Sequence, residues 1–191
     1  MAISTYVTYN NKPVQMNIID IFDPRFDTIK AITFSASRKF LLKTFFYFAD
    51  IELILGIPNA SIQQEIYNTL ADLSDYHRSH KSMITETRKF YEASCRIPSK
   101  GIIHNKIYLL SNKDSVRTIT GSANLSTAAF DTTSNQHENI IISDDPNVYQ
   151  NYLAQYNKIR NSTMPYVDSE TKKYLQRKGY YQCQRHIRSL H

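Results

Sequence analysis

Hydrophobic residues recur along this chain in two rhythms. Nearly continuous apolar runs at residues 30–35 and 51–57 read as buried strands, the second stopped by Gly56 and Pro58. Between them, residues 38–48 place Phe40, Leu41, Leu42, Phe45, Phe46 and Phe48 around a helix with a narrow polar face, with Ser37 at its N-cap position. Ile62, Ile66, Leu70 and Leu73 keep helical spacing in a segment that starts at Asn59 or Ser61 and runs through Tyr76. Residues 75–92 are too polar to assign, and residues 93–97 form a short strand ended by Pro98. Further on, the pattern predicts a helical turn at 125–130, a polar loop at 131–136, a strand at 138–143 and a helix at 146–160. Val148, Tyr152, Leu153, Tyr156 and Ile159 share one face of that last helix. Residues 6–9 suggest a short strand, followed by a loop through Asp23 and Pro24. Strands alternating with helices predict an α/β domain with a central mixed β-sheet flanked by helices, and no segment repeats.

The stretch 101–126, GIIHNKIYLLSNKDSVRTITGSANLS, carries the chemistry. Ile102, Ile103, Ile107, Tyr108, Leu109 and Leu110 favour an extended strand in which His104 and Lys106, two residues apart, share a face with Tyr108 beyond. Asn112, Lys113, Asp114 and Ser115 are turn residues, and residues 116–120 read as the returning strand of a hairpin. That strand ends in Gly121, Ser122, Ala123 and Asn124, small residues that let a ligand approach the backbone. An imidazole, an ammonium, a hydroxyl and a carboxamide near one corner suit the binding of a phosphate.

His104-Asn105-Lys106 followed by Gly121-Ser122-Ala123-Asn124 resembles the HxK…GSxN signature of the phospholipase D superfamily, which includes phospholipases, phosphatidyl transferases, nucleases, restriction endonucleases and a tyrosyl-DNA phosphodiesterase. The resemblance extends to an acidic residue in the strand after GSxN, here Glu138, and is nearest to nuclease and restriction-enzyme members. It departs from the pattern HxKxxxxD at Ser111, where the superfamily places an aspartate. The resemblance implies phosphodiester hydrolysis through a covalent phosphohistidine, with no metal and no cofactor. His104 would be the nucleophile. Lys106, Ser122 and Asn124 would hold the phosphate oxygens, and Glu138 would orient the imidazole. With one motif copy, the second imidazole would come from a second subunit, which implies a two-fold homodimer.

Charge sharpens the choice of substrate. The net charge is +6, and eight basic residues against two acidic ones lie from Lys158 to the end. A second basic run, from Lys81 to Arg117, surrounds the motif. Such surface favours a polyanion, so DNA is the expected partner. From residue 161 the composition shifts to a basic extension with Tyr174, Tyr180 and Tyr181, suiting either nucleic-acid contact or packing on the chain's own domain. The expected division is a catalytic domain at 1–160 and an extension at 161–191.

No run approaches the roughly 20 apolar residues of a bilayer span, and the N-terminal residues lack a secretory pattern. Cys95 and Cys183 make neither a disulfide framework nor a zinc site, and His77 and His80 lack a third ligand. These features suggest a cytoplasmic protein without membrane contact. The leading expectation is a metal-independent nuclease acting on DNA, standing alone or as the front module of a helicase or restriction system. One alternative is a dimeric nucleic-acid-binding module in which Ser111 marks a lost activity. A phospholipase or phosphatidyl transferase is the other.

Overall fold

The computed structural model describes residues 6–79, 92–130 and 137–168. Fourteen elements carry the fold, in the order β1 (Tyr6–Tyr9), β2 (Lys12–Val14), α1 (Ile18–Ile21), β3 (Thr28–Thr33), α2 (Arg38–Thr44), β4 (Asp50–Leu55), α3 (Ala60–Ser79), β5 (Glu92–Pro98), β6 (Ile107–Ser111), β7 (Val116–Gly121), α4 (Thr127–Phe130), β8 (Asn139–Ser143), α5 (Pro146–Arg160) and β9 (Thr163–Pro165). The strands form one sheet of nine in the order β2-β1-β8-β7-β6-β3-β4-β5-β9. β3, β4 and β5 run parallel, as do β1 and β8, while the remaining pairs are antiparallel. The protein is therefore an α/β domain built on a mixed sheet with helices on both faces.

Strand alternation divides the core in two. Ile29, Ala31, Ile51, Leu53, Leu55, Tyr108, Leu110 and Ile119 face the larger core, which also holds Phe22, Phe40, Phe45 and Phe130. Ile32, Ile54, Ile107 and Leu109 face the other way, where α5 covers them with Tyr149 and Tyr156. Ser37 caps α2 by accepting from Phe40 N at 3.3 Å, and Asn59 caps α3 by accepting from the amides of Ser61 and Ile62. The expected helix at 38–48 is α2 followed by a 3-10 turn, Phe45–Tyr47.

The hairpin of β6 and β7 forms in the expected register, its turn closed by Asn112 Oδ1, which accepts from the amides of Asp114 and Ser115. Its first strand starts later than the sequence suggests, at Ile107 rather than Ile102. β3 pairs with β6 only as far as Ile32 opposite Ile107, so the chain ahead of Ile107 has no ladder to join. It crosses the end of β4 instead, where Ile103 N donates to Gly56 O at 3.4 Å. A Cβ on Gly56 would lie 1.8 Å from the Ile103 carbonyl oxygen, so glycine alone permits this approach.

The sheet also continues past the division expected at residue 160. β9 pairs with β5, Tyr166 N donates to Cys95 O, and the Tyr166 ring packs on Tyr67. The basic, tyrosine-containing segment beyond Asp168, residues 80–91 with His80, and the loop expected at 131–136 lie outside the described residues, as does the side chain of His77. Both edge strands, β2 and β9, are three residues long and each contains a proline, Pro13 and Pro165.

Candidate active site

β3 and β7 end, and β6 and β8 begin, at the same end of the sheet, and the singled-out polar residues collect there. Lys106 precedes Ile107 directly and is only 9% exposed, whereas His104 is exposed. Although the segment lies outside the ladder, the two side chains meet: Lys106 Nζ is 3.1 Å from His104 Nδ1 and donates to the His104 carbonyl oxygen at 2.9 Å. Burial pulls the Lys106 ammonium below its ordinary pKa, and the nearby Glu138 carboxylate works in the opposite direction. Beside the pair lies an open cleft of about 250 Å³, lined by His104, Lys106, Thr120, Gly121, Tyr152 and Gln155.

The corner after β7 is fixed by a glycine and by hydrogen bonds from the end of β3 and from β6. Gly121 has φ of +144°, and a Cβ there would lie 1.8 Å from Asn139 O. Thr33, fully buried at the end of β3, accepts from Leu125 N at 3.3 Å and donates to Ser35 O at 2.7 Å. Tyr108, also buried, donates its hydroxyl to Ala123 O at 2.6 Å. Asn124 Oδ1 accepts from Ser35 N at 3.3 Å and lies 3.3 Å from Thr33 Oγ1. With its oxygen so engaged, the carboxamide has, among the described residues, both Nδ2 hydrogens left for a ligand.

Ser122 is exposed, and its hydroxyl donates to the Glu138 carboxylate while accepting from Asn139 N at 2.9 Å. Glu138 is half-buried immediately before β8. Its carboxylate therefore meets the Gly-Ser-Ala-Asn corner, and the His104 ring takes Lys106 as its polar neighbour. Ser111 is elsewhere. It ends β6 at the far end of the sheet, where its carbonyl accepts from Asp27 N. Five residues of strand at about 3.3 Å each put it about 16 Å from Lys106.

Sequence pattern did not single out Phe34, Thr33, Tyr152 or Gln155 for this site. Phe34 follows β3 and stacks on the imidazole, with ring centroids 4.4 Å apart at 35°, and its ring centroid lies 6.0 Å from Lys106 Nζ. Seventy residues separate Phe34 from His104, so no local signal could have paired them. Tyr152 belongs to the apolar face of α5, where it packs, and it also reaches the cleft. Among the described residues no group of three His, Cys, Asp or Glu side chains is placed to hold a metal ion, and no helix is long and apolar enough to cross a membrane.

A search of curated proteins found no match. The family model of the NgoFVII restriction endonuclease N-terminal PLD domain matches residues 35–172. That span contains His104, Lys106, the whole Gly-Ser-Ala-Asn corner and Glu138, and it covers more than half of the sequence. The chain belongs to the family of the NgoFVII restriction endonuclease N-terminal PLD domain.

Proposed function

We propose that this protein is a nuclease that hydrolyses DNA phosphodiesters without a metal, through a phosphohistidine formed where two copies of the chain meet. The observation that supports it most is the meeting of His104 and Lys106 at the sheet end where the Gly121–Asn124 corner and Glu138 also lie. Membership in a family described as a restriction endonuclease domain supports DNA as the substrate.

In the attacking copy Lys106 turns to the phosphate, the neutral ring carries its one proton on Nδ1, and that N–H donates a hydrogen bond to Glu138 within the assembled dimer. The Nε2 lone pair of His104 then forms a bond to phosphorus as the bond to the leaving oxygen breaks, and the partner subunit's His104 gives its Nε2 proton to that oxygen while Lys106 beside it passes a proton to Nδ1, so that ring stays neutral. Water next attacks phosphorus as the P–N bond breaks, giving its proton to Nε2 of the partner subunit's His104 while the Nδ1 proton of that ring returns to Lys106, and both imidazoles are restored. Lys106, Asn124 and Ser122 hold the non-bridging oxygens and stabilise the charge developing on them. A module that only binds DNA was suggested by Ser111, but a residue at the opposite end of β6 supplies no argument for a lost site.

The test is DNA turnover in excess EDTA. Wild type is expected to cleave, and His104→Ala to fall by at least about a thousandfold, as when a nucleophile is removed. Activity that vanishes on chelation, or that survives the substitution, overturns the mechanism.

A further inference from the structure

The way His104 is held points beyond its being present. An ammonium has only donors, so Lys106 placed 3.1 Å from Nδ1 makes that nitrogen the acceptor. The ring proton of a neutral imidazole then sits on Nε2, where it can be given away as Lys106 passes a proton to Nδ1, and where no lone pair is available to attack. Lys106 spends a second donor on the His104 backbone carbonyl at 2.9 Å, which fixes the ammonium to the residue as a whole. A hydrogen bond at Nδ1 leaves rotation of the imidazole plane unopposed, and that is the freedom Phe34 removes. Its ring lies tilted against the imidazole at 4.4 Å and 35°, in close ring contact, and keeps Lys106 near its own face. Phe34 is itself anchored, because Thr33 ahead of it and Ser35 behind it are joined by the 2.7 Å bond from Thr33 Oγ1 to Ser35 O.

We propose that Phe34 is a positioning residue which, with Lys106, holds the resting His104 as the Nε2–H tautomer, the form that protonates a leaving oxygen. The two identical imidazoles of the proposed dimer thus start as acids, and the one whose Lys106 is drawn to phosphate becomes the nucleophile. This rests on the hydrolytic reading for its consequence, though the tautomer itself can be measured without turnover.

The experiment is ¹⁵N NMR of the imidazoles in the full chain, with the His104 signals identified by their loss in His104→Ala. Wild type is expected to show the Nε2–H pattern at His104. Phe34→Leu keeps an apolar side chain but no ring, and is expected to give an averaged mixture of both tautomers, with kcat down about tenfold and KM changed less than twofold. Phe34→Tyr keeps the ring and is expected to restore both signals and kcat. His104 shifts that are the same in wild type and Phe34→Leu, or a wild-type ring carrying its proton on Nδ1, overturn the proposal. If Phe34→Leu unfolds, Phe34→Tyr and Phe34→Trp decide it, because either must keep the wild-type tautomer. Absence of cleavage by wild type would defeat hydrolysis alone and leave the spectroscopic result standing.

Discussion

Ser111 shows how position outranks identity at the scale of a single residue. An aspartate expected from the family pattern is missing there, yet the residue ends β6 beside Asp27 and Thr28, a full strand length from Lys106. Ser111→Ala is therefore expected to leave DNA turnover within about twofold of wild type, since it removes no group that reaches the cleft. A loss as large as that of His104→Ala, measured in the same assay, would show that the far end of the strand is coupled to the chemistry. The polar residues of the site were legible in the sequence because their types and spacing carry the motif. Their partners were not. Ser122 meeting Glu138, and Ser35 N tying Asn124 to the end of β3, are contacts between segments distant in sequence, which no spacing rule encodes.

At the scale of elements, the strands and helices with sustained apolar patterns were readable. β3, β4, β7 and α5 lie where residues 30–35, 51–57, 116–120 and 146–160 suggested, shifted by two residues or fewer at each end. Elements held by their neighbours were not readable. β2 and β9 have too few residues for any alternation to show, and they are strands because β1 and β5 offer them a ladder. α1 does carry a local signal, a capping box in which Asn17 accepts from Asp20 N and the Asp20 carboxylate accepts from Asn17 N. The far end of the sheet is joined by one charged cluster. Arg117, 3% exposed, grips Asp144 through bonds of 2.7 and 2.9 Å and donates to the carbonyls of Asp20 and Ile21. Burial acts to raise the Asp144 carboxyl, but hydrogen bonds from Arg117 and Tyr9 and the charges of Arg117 and Arg25 outweigh it and hold the pKa below the usual value. The sign follows from linkage. Stability from this carboxylate is complete above its unfolded pKa and is lost as pH falls through the lower folded value. Asp144→Asn is expected to cost about 3 kcal/mol at neutral pH and to flatten the acid limb of a urea-unfolding series. An acid limb as steep as in wild type would mean that other carboxylates set it.

For the molecule as a whole, the decisive quantity is how many copies make one site. Random exchange of equal amounts of wild type and His104→Ala leaves about a quarter of the pairs fully wild type. Cleavage is thus expected to fall to about a quarter of the wild-type rate, read after the subunits have been unfolded and refolded together. Retention of half the rate would mean that each chain acts by itself. The borders of the sheet bear on how two copies can join. Pro13 and Pro165 each remove an amide donor from an outermost strand that is already only three residues long. A second molecule is thereby discouraged from adding itself to the ladder, so the proposed dimer would have to form through side chains. Two imino acids at the margins thereby guard the described sheet against the runaway stacking open to any sheet with bare borders.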